Sequence, residues 1–505
     1  MLLALASAAA ASPERASFAV PFDDAFGPRF GRAPQAGEAK PRKTGAAAHD
    51  EARRIQRWNE IAIDASGLDH TPAAADEART FGEQLGPGRA SRAMAIVHIA
   101  IFDAVNAIAR DYESYTGLPA APAHTSMNAA IAQAAHDALA ALYPAQRESF
   151  AERLAEDLAE LRPNRATANG IELGHRAAAA ILARRADDGS QHAEPRVGVD
   201  FIPGDAPGAW RPDPLSQVPI ALGAFWGGVK PFVLRSGAQF RPPAPPDLAS
   251  AEYAAAFEEV RAVGGDGDKT RTLRGARQTL IGIYWAYDGT PSLCAPPRLY
   301  NQIAMQIAEQ MGTTRKAVEL ARLLALVNTA MADAGIAIWE AKYHYQFWRP
   351  VTGIREADEG TGPTRFGDGN PATSGDPTFT PLGAPASNLT GPNFTPPFPA
   401  YPSGHAGFGG ALFQILRRFY STDAIAFTFV SDEFDGATLD NEGNVRPLVP
   451  RRFASLSEAE EENGQSRIYL GIHWVFDKTA GIAQGRRVAD HVFGNAFRPL
   501  KKRPH

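Results

Sequence analysis

Residues 90–108, ASRAMAIVHIAIFDAVNAI, contain the clearest helical pattern in the chain. Apolar side chains recur there every three or four residues, which places them on one face of an α-helix. They are Met94, Val97, Ile101, Val105 and Ile108. Comparable runs predict further helices over 127–142, 149–161, 167–185, 251–263, 274–286, 297–311 and 315–345. The pattern predicts an all-α protein.

The helical pattern is interrupted by two long Pro- and Gly-rich stretches, 191–249 and 352–402, which are predicted to be loops. The second lies between two charged motifs, and a loop of that length is usually functional or disordered. Residues 424–453 alternate and predict a small hairpin. A last helix is predicted over 458–497, with a break near Asn463-Gly464.

Three regions are predicted along the chain. Residues 1–52 form a loosely tied N-terminal arm, residues 53–249 an N-terminal helical region, and residues 250–505 a C-terminal helical region that carries the functional site. Met1 to Ser12, MLLALASAAAAS, is apolar like part of a secretion signal but has no preceding basic residue. Export to the periplasm or medium and a cytoplasmic location both stay open.

The composition excludes several classes of protein. The 505 residues include 51 Lys+Arg against 56 Asp+Glu, and Cys294 is the single cysteine. One thiol excludes disulfide scaffolds, cysteine-rich zinc modules and iron–sulfur ligation by cysteines. The net charge of -5 gives no general attraction to nucleic acid, so a bound anion requires local cations. No membrane span is predicted, and the sequence does not determine the oligomeric state.

The first charged motif is KYHYQFWRP, residues 342–350. A separation of seven puts Lys342 and Arg349 on nearly the same helix face, about 10 Å apart, where both can reach one anion. Pro350 is expected to help end that helix. His344 points to another face and is predicted to be structural. The alternative for this motif is a solvated basic face.

The second motif is YPSGH, residues 401–405, which precedes an apolar run to Tyr420. Ser403 is a good N-cap, and Gly404 lets a ligand approach the backbone. The free N–H groups of a helix start favour an anion in front of them. The alternative is an ordinary helix start with an incidental His405.

The third motif is SRIYLGIHWVFD, residues 466–477. The spacing of four places Asp477 one helical turn beyond His473, where it can accept the Nδ1–H of the imidazole. The Nε2 atom is then left as a nucleophile or a ligand. The alternative is a structural His/Asp pair.

Together the motifs supply cations, a hydroxyl group, main-chain N–H donors and two histidines. This set suits a tetrahedral oxyanion such as phosphate or vanadate, and the five-coordinate state built from it. His473 is the axial candidate and His405 the acid/base candidate. The predicted cations are Lys342, Arg349 and Arg467.

The motifs, written K-x6-RP, PSGH and SR-x5-H-x3-D, resemble the signature shared by vanadium-dependent haloperoxidases and the type 2 phosphatidic-acid phosphatases. The resemblance to the haloperoxidases is closer. It extends over FWRPVTGIR, PPFPAYPSGHAGFGGA, RIYLGIHWVFDKTAG and the upstream WAYDG and PPRLYNQIA. The resemblance implies a large helical-bundle protein, with two four-helix bundles as in the fungal type.

The resemblance also implies roles for individual residues. Vanadate would be bound axially by His473, with its oxygens held by Lys342, Arg349, Ser403, Gly404 and Arg467. His405 would be the acid/base group, and Asp288 would pair with Arg467. The implied activity is the oxidation of halide by hydrogen peroxide to hypohalous acid, followed by halogenation of a small organic acceptor. No haem, flavin or nucleotide is expected.

Phe398 stands seven residues before His405, where the chloride-oxidising fungal type has Phe and the algal bromide-oxidising type has His. Trp339, Pro396 and Pro397 resemble the wall of the same pocket, although core packing is the alternative for such residues. Activity on both bromide and chloride is therefore expected.

Two rival functions are weighed against this one. An acid phosphatase would use His473 to form a phosphohistidine and His405 to protonate the leaving group. The other rival is an anion-binding protein without catalysis. The pairs His98/Asp103 and His136/Asp137, far from the motifs in sequence, are predicted to form hydrogen bonds in the core.

Overall fold

The protein is described here by a computed structural model, which covers residues 20–32, 50–74 and 77–500. These ranges contain fourteen α-helices and four short strands, so the predicted helical fold is confirmed. The helices are α1 (Phe22–Phe26), α2 (Glu51–Asp69), α3 (Gly86–Ala109), α4 (Met127–Leu142), α5 (Arg147–Ala159), α6 (Arg165–Arg184), α7 (Ala251–Val263), α8 (Ala276–Tyr284), α9 (Pro296–Gln310), α10 (Ala317–Tyr345), α11 (Pro350–Arg355), α12 (Gly404–Tyr420), α13 (Leu456–Tyr469) and α14 (Val475–Asn495). The signal-like segment Met1 to Ser12 lies outside the described residues.

The four strands form two small antiparallel ladders. β1 (Gly31–Arg32) pairs with β2 (Leu389–Thr390), and β3 (Phe427–Asp435) pairs with β4 (Leu448–Phe453). The second pair is the hairpin predicted from the alternation in residues 424–453. Its Phe427 and Phe453 are register partners, and their ring centroids lie 5.2 Å apart on the core side.

The largest apolar core draws on both predicted helical regions. α3 packs against α4 and α10, and α10 packs against α12 and α14. α3 and α10 are long and apolar enough to pass a length-and-composition test for membrane spans. In this structure 89% and 100% of the residues in their apolar segments are buried inside the protein, as expected for central core helices. The division of the chain at residue 250 stays a prediction.

α12 and α14 run side by side in close contact. A Cβ atom at Gly481 would lie 2.6 Å from the carbonyl oxygen of Ser403, and one at Gly485 would lie 2.0 Å from that of Gly407. Glycine at these positions lets the two backbones approach. The starts of the two helices are therefore held next to each other, and the second and third motifs meet there.

The last predicted helix is broken in a different place from the one expected. Asn463 and Gly464 lie inside α13, and the break spans residues 470–474 between α13 and α14. Gly471 has φ +72, a conformation that L side chains rarely adopt. Gly464 allows close packing instead, because a Cβ there would lie 2.6 Å from Cγ of Lys478.

Part of the predicted N-terminal arm is packed against the body of the protein. Phe26 and Phe30 are buried, and the ring of Phe30 meets that of Phe394 edge-on at 5.8 Å between centroids. The end of this segment forms β1, which pairs with β2. The expected loose attachment therefore does not describe residues 20–32.

Candidate active site

The three motifs converge at the ends of five helices. Lys342 lies in the last turn of α10, Arg349 is the N-cap of α11, and Ser403 is the N-cap of α12. The third motif spans the last turn of α13, the break after it and the first turn of α14. The predicted oxyanion-binding side chains are almost completely buried: Lys342, Arg349, Ser403, His405, Arg467 and His473.

Lys342 and Arg349 do not share one helix, contrary to the expectation from their spacing. α10 ends at Tyr345 because Gln346 adopts a left-handed conformation with φ 48. Arg349 follows in extended backbone, and Pro350 begins α11 instead of ending α10. The two cations still approach one site because both bind the same loop.

That loop, residues 396–400, holds the cations by main-chain carbonyl groups. Lys342 Nζ donates to the carbonyl oxygens of Pro399 (2.7 Å) and Ala400 (2.9 Å). Arg349 Nε donates to that of Phe398 (2.9 Å). These hydrogen bonds use some of the N–H groups of each cation and leave others to bind a ligand.

His473 is held as one tautomer by two neighbours. Its Nδ1 lies 2.8 Å from Asp477 Oδ2, and its Nε2 lies 2.9 Å from Arg349 Nη1. A guanidinium can only donate, so Nε2 carries the lone pair and Nδ1 carries the proton. The predicted His473–Asp477 pair is present, but His473 precedes α14 and the carboxylate also accepts the N–H of Trp474 at 3.0 Å. Asp477 is therefore part of the cap of α14.

His405 is held in a different way, in the first turn of α12. Its Nε2 contacts the carbonyl oxygen of Ala286, which can only accept, so Nε2 carries a proton. Asp288 Oδ1 lies 4.0 Å from the same nitrogen. Both oxygens of Asp288 also accept from Arg467 Nη2 at 2.8 Å, which is the pairing implied for this carboxylate.

Two residues that the sequence did not single out fix the backbone of His405. Its carbonyl oxygen accepts from Tyr300 Oη at 2.8 Å and from Asn463 Nδ2 at 2.9 Å, and these two side chains also bind each other. Asn463 was interpreted as part of a helix break. Tyr300 lies in the PPRLYNQIA segment, which resembles the haloperoxidases but for which the sequence predicted no role.

Ser403 and Gly404 form the start of α12 as predicted. Ser403 Oγ accepts from the N–H of Ala406 at 3.5 Å, a long capping contact. The Ser403 N–H donates to the carbonyl of Asp477 at 3.0 Å, which ties the two helix starts together. A Cβ at Gly404 would approach the ring of Trp339 at 3.4 Å.

An aromatic and proline wall faces this helix start. The rings of Trp339 and Phe398 lie 4.9 Å apart, and Lys342 Nζ is 5.7 Å and 5.1 Å from their centroids. Pro396 and Pro397 line the same cavity. The predicted halide-pocket residues are thus brought together beside a buried cation.

Burial shifts the protonation equilibria of the whole group. It lowers the pKa of Lys342 and of both imidazoles well below their usual values, and neighbouring cations add to the effect. It also lowers the pKa of Arg349 to about 9 and raises that of Asp477 to about 7. Desolvation is the main cause for each group; the clustered cations further lower the pKa of one another and of the imidazoles, but they oppose the rise in the pKa of Asp477. An anion in the cavity would favour the charged forms.

The donor set fits a tetrahedral oxyanion. Arg467 Nε and Nη1 are buried and have no hydrogen-bond partner in the described part of the chain, although Arg467 lines the cavity with His405 and His473. A buried guanidinium with unpaired N–H groups is costly, and an oxyanion would satisfy it. His473 Nε2 adds a lone pair. Phosphate and vanadate both meet these requirements.

The other histidines that the sequence singled out, His344, His136 and His98, do not line this site. His344 is exposed and lies 3.5 Å from Arg241. Asp103 accepts from Ser114 and from main-chain N–H groups in the core, as predicted. His136 Nδ1 binds Asp137 at 2.8 Å, but both side chains are partly exposed and not in the core. His98 differs from the prediction because neither ring nitrogen has a hydrogen-bond partner among the described residues.

Comparison with known proteins agrees with the resemblance found in the motifs. Residues 322–502 match a family model described as the second helical-bundle domain of VCPO. Vanadium chloroperoxidase of Curvularia inaequalis is 40% identical over 272 residues, which is 47% of this chain and 43% of that protein. The aligned part is thus less than half of that relative, and it is homologous to a vanadium haloperoxidase.

Solved structures confirm the fold over most of the chain. The first bacterial vanadium-dependent iodoperoxidase superposes with a TM-score of 0.69 at 24% identity, over 90% of this chain and 98% of that one. An apo-type bacterial vanadium-dependent chloroperoxidase gives a TM-score of 0.60 at 16% identity, over 81% and 94%. The chain therefore has the helical fold of the vanadium haloperoxidases.

Proposed function

We propose that this protein is a vanadate-dependent haloperoxidase, which uses hydrogen peroxide to oxidise bromide and chloride to hypohalous acid. The observation that carries the proposal is the state of His473. Its Nε2 lone pair lies 2.9 Å from Arg349 in a cluster of buried cations, and its Nδ1–H is fixed on Asp477. A neutral imidazole with one directed lone pair is suited to bind a metal centre.

The cavity residues have the chemistry that vanadate requires. His473 would bind vanadate through Nε2, and the vanadate oxygens would be held by Lys342, Arg349, Ser403, Gly404 and Arg467. When bound, vanadate supplies a Lewis-acidic centre at which peroxide becomes reactive towards halide. No other redox cofactor is needed in this proposal.

His405 would move protons at the mouth of the same site. Its Nε2–H and the nearby Asp288 carboxylate can exchange a proton with peroxide oxygen. Burial lowers the pKa of its imidazole, so the ring is neutral near pH 7 and has an Nε2–H that it can donate and recover. The Tyr300 and Asn463 contacts would hold its backbone in position during this exchange.

The halide would approach along the wall formed by Trp339, Phe398, Pro396 and Pro397. This wall is apolar and lies against the buried Lys342 ammonium group, at 5.1 Å from the Phe398 ring centroid. A weakly hydrated anion such as bromide tolerates such surroundings when a cation is close. Phe398 favours chloride as a second substrate.

The test is to assay purified protein in metal-free buffer and then with orthovanadate. With peroxide and bromide present, we expect vanadate to switch on the bromination of a phenol indicator. The rival phosphatase would hydrolyse an aryl phosphate without metal, through attack by His473, and vanadate would inhibit it. Phosphate hydrolysis without any bromination would overturn the proposal. Vanadate binding without either activity would indicate a protein that only binds anions.

A further inference from the structure

The cavity that His405 and His473 line also has an apolar part, which we call the chamber. Its outer wall comes from the N-terminal segment, with Ala25, Phe26 and Phe30, and from Val218 and Ile220 of the first long loop. Phe394 and Leu222 connect these residues to the inner wall of the cavity. All of these side chains are apolar, so the chamber differs sharply from the charged site below it.

The chamber contains almost no group that could bind a polar ligand. Within the described ranges of the chain, His70 is the one ionisable residue that lines it apart from the motif residues and Asp288. Its Nδ1 donates to the carbonyl of Ser66 at 2.9 Å, and its Nε2 accepts from the N–H of Gly86 at 2.9 Å. Both nitrogens are thus engaged by the backbone. A charged ligand would lose its hydration there without gaining a partner.

The outer wall is built into the fold. Gly27 has φ +93, and a Cβ there would lie 2.7 Å from the carbonyl oxygen of Ser216. β1 continues the segment by pairing with β2, and Asp24 forms a salt bridge with Arg196 at 2.9 Å. These contacts hold the outer wall against the body of the protein.

We infer that this chamber binds the organic acceptor inside the protein and selects uncharged acceptors over charged ones. The inference rests on the proposed function and names its substrate class. Halogen would be transferred inside the protein, with the balance RH + X⁻ + H₂O₂ + H⁺ → RX + 2 H₂O. A C–X bond forms, the C–H bond breaks, and the proton released from carbon passes to water.

The test compares the protein with free hypobromous acid in the same buffer. Anisole and 4-methoxybenzoate are offered together, because they share one ring and differ by a carboxylate. Relative to the free reagent, we expect the enzyme to favour anisole by roughly tenfold, since the chamber gives the carboxylate no partner. A product ratio equal to that of the free reagent would overturn the inference.

Variants in the outer wall test whether the chamber causes the preference for anisole. Ala25→Trp places an indole in the chamber from a half-buried position, and we expect it to abolish the preference for anisole. Bromide oxidation without an acceptor, measured as tribromide, is expected to stay unchanged. Phe22→Ala is the matched control, because the Phe22 ring packs at a tilt against that of Phe26, with 5.0 Å between centroids, but does not line the chamber. A preference that survives Ala25→Trp would refute the assigned site.

A binding measurement separates this inference from the proposed function. Saturation-transfer NMR with anisole is run on vanadate-free protein, where no turnover occurs. We expect transfer in the wild type and in Phe22→Ala, and its loss in Ala25→Trp. If halide oxidation fails but saturation transfer follows these expectations, the proposed function is wrong, while the chamber is supported as a binding site for uncharged rings. Absence of transfer in the wild type would reject the chamber as an acceptor site.

Discussion

The two site histidines stand at neighbouring helix starts and are held in opposite ways. His473 precedes α14, where Asp477 takes its Nδ1–H and leaves a lone pair on Nε2. His405 lies in the first turn of α12, where the carbonyl of Ala286 takes its Nε2–H. Their burial is similar, at 2% and 6% exposure, so the hydrogen-bond partner sets the difference. One imidazole therefore presents a lone pair on Nε2 and the other an N–H group, which are the states that the proposed roles require.

The largest effect on either histidine's proposed role is expected from His473→Ala. Removing the lone pair should lower vanadate affinity at least about a hundredfold and abolish halide oxidation. Titration calorimetry with orthovanadate measures the affinity, and thermal unfolding checks the fold. His344→Ala, an exposed histidine of the first motif, is the control and should bind normally. Unchanged vanadate affinity in His473→Ala would remove its assignment as a ligand.

His405→Ala should separate binding from turnover. We expect vanadate affinity to stay within a few-fold of the wild type, while the rate of bromide oxidation falls by about 10² to 10⁴. Steady-state rates at saturating vanadate, with peroxide varied, measure the effect. A rate equal to the wild type would exclude an acid/base role, and loss of vanadate binding would show that His405 is also needed for the ligand.

Asp477→Ala tests whether the partner sets the role of its histidine. Without the carboxylate, the Nδ1–H tautomer of His473 is no longer held, and vanadate affinity should fall about 10- to 100-fold. Asp490→Ala, which removes a less buried carboxylate of the same helix bound to Arg418, is the matched control. Equal affinities in the two variants would mean that Asp477 serves only to cap α14.

A smaller difference is expected between two helix caps. Ser403→Ala and Ser455→Ala each remove an N-cap, and each should lower the free energy of unfolding by about 0.5–2 kcal/mol. Only Ser403→Ala should also weaken vanadate binding, because Ser403 lies in the site. Urea unfolding and calorimetry measure the two effects. Weaker binding in both variants would attribute the loss to general destabilisation.

His98 shows what a buried histidine does without a partner. Burial lowers its pKa to about 3, below the 6.5 of an unfolded chain, so the folded state binds fewer protons. Stability should therefore be lost as the pH falls from 6.5 towards 3, with about 2 kcal/mol lost at pH 5. His98→Leu should remove this loss. Urea unfolding at pH 7.5 and pH 5 tests it, and an equal pH dependence in both proteins would contradict it.

Short-range features of the site could be predicted from the sequence, but the path of the chain between its motifs could not. Local spacing indicated the Asp477–His473 pair and the helix start at Ser403, because both depend on neighbours within four residues. The route from Lys342 to Arg349 was predicted wrongly, since Gln346 takes a left-handed conformation that usually favours glycine. The chain gave no local signal for it.

Contacts distant in sequence were beyond prediction for the same reason. The carbonyl of His405 is bound by Tyr300 and Asn463, 105 and 58 residues away. The chamber wall combines residues near positions 26, 86, 220 and 396. No periodicity links such positions. The helices themselves were predictable because each apolar face repeats within one turn.

Because the carbonyl groups of residues 396–400 hold Lys342 and Arg349, the cation positions depend little on the side chains of that loop. A carbonyl is supplied by any amino acid, so a substitution there that preserves the backbone leaves these hydrogen bonds in place. Those side chains also shape the inner wall of the cavity. Selectivity could therefore diverge in evolution, or be redesigned in a mutant library, while the anion-binding frame persists.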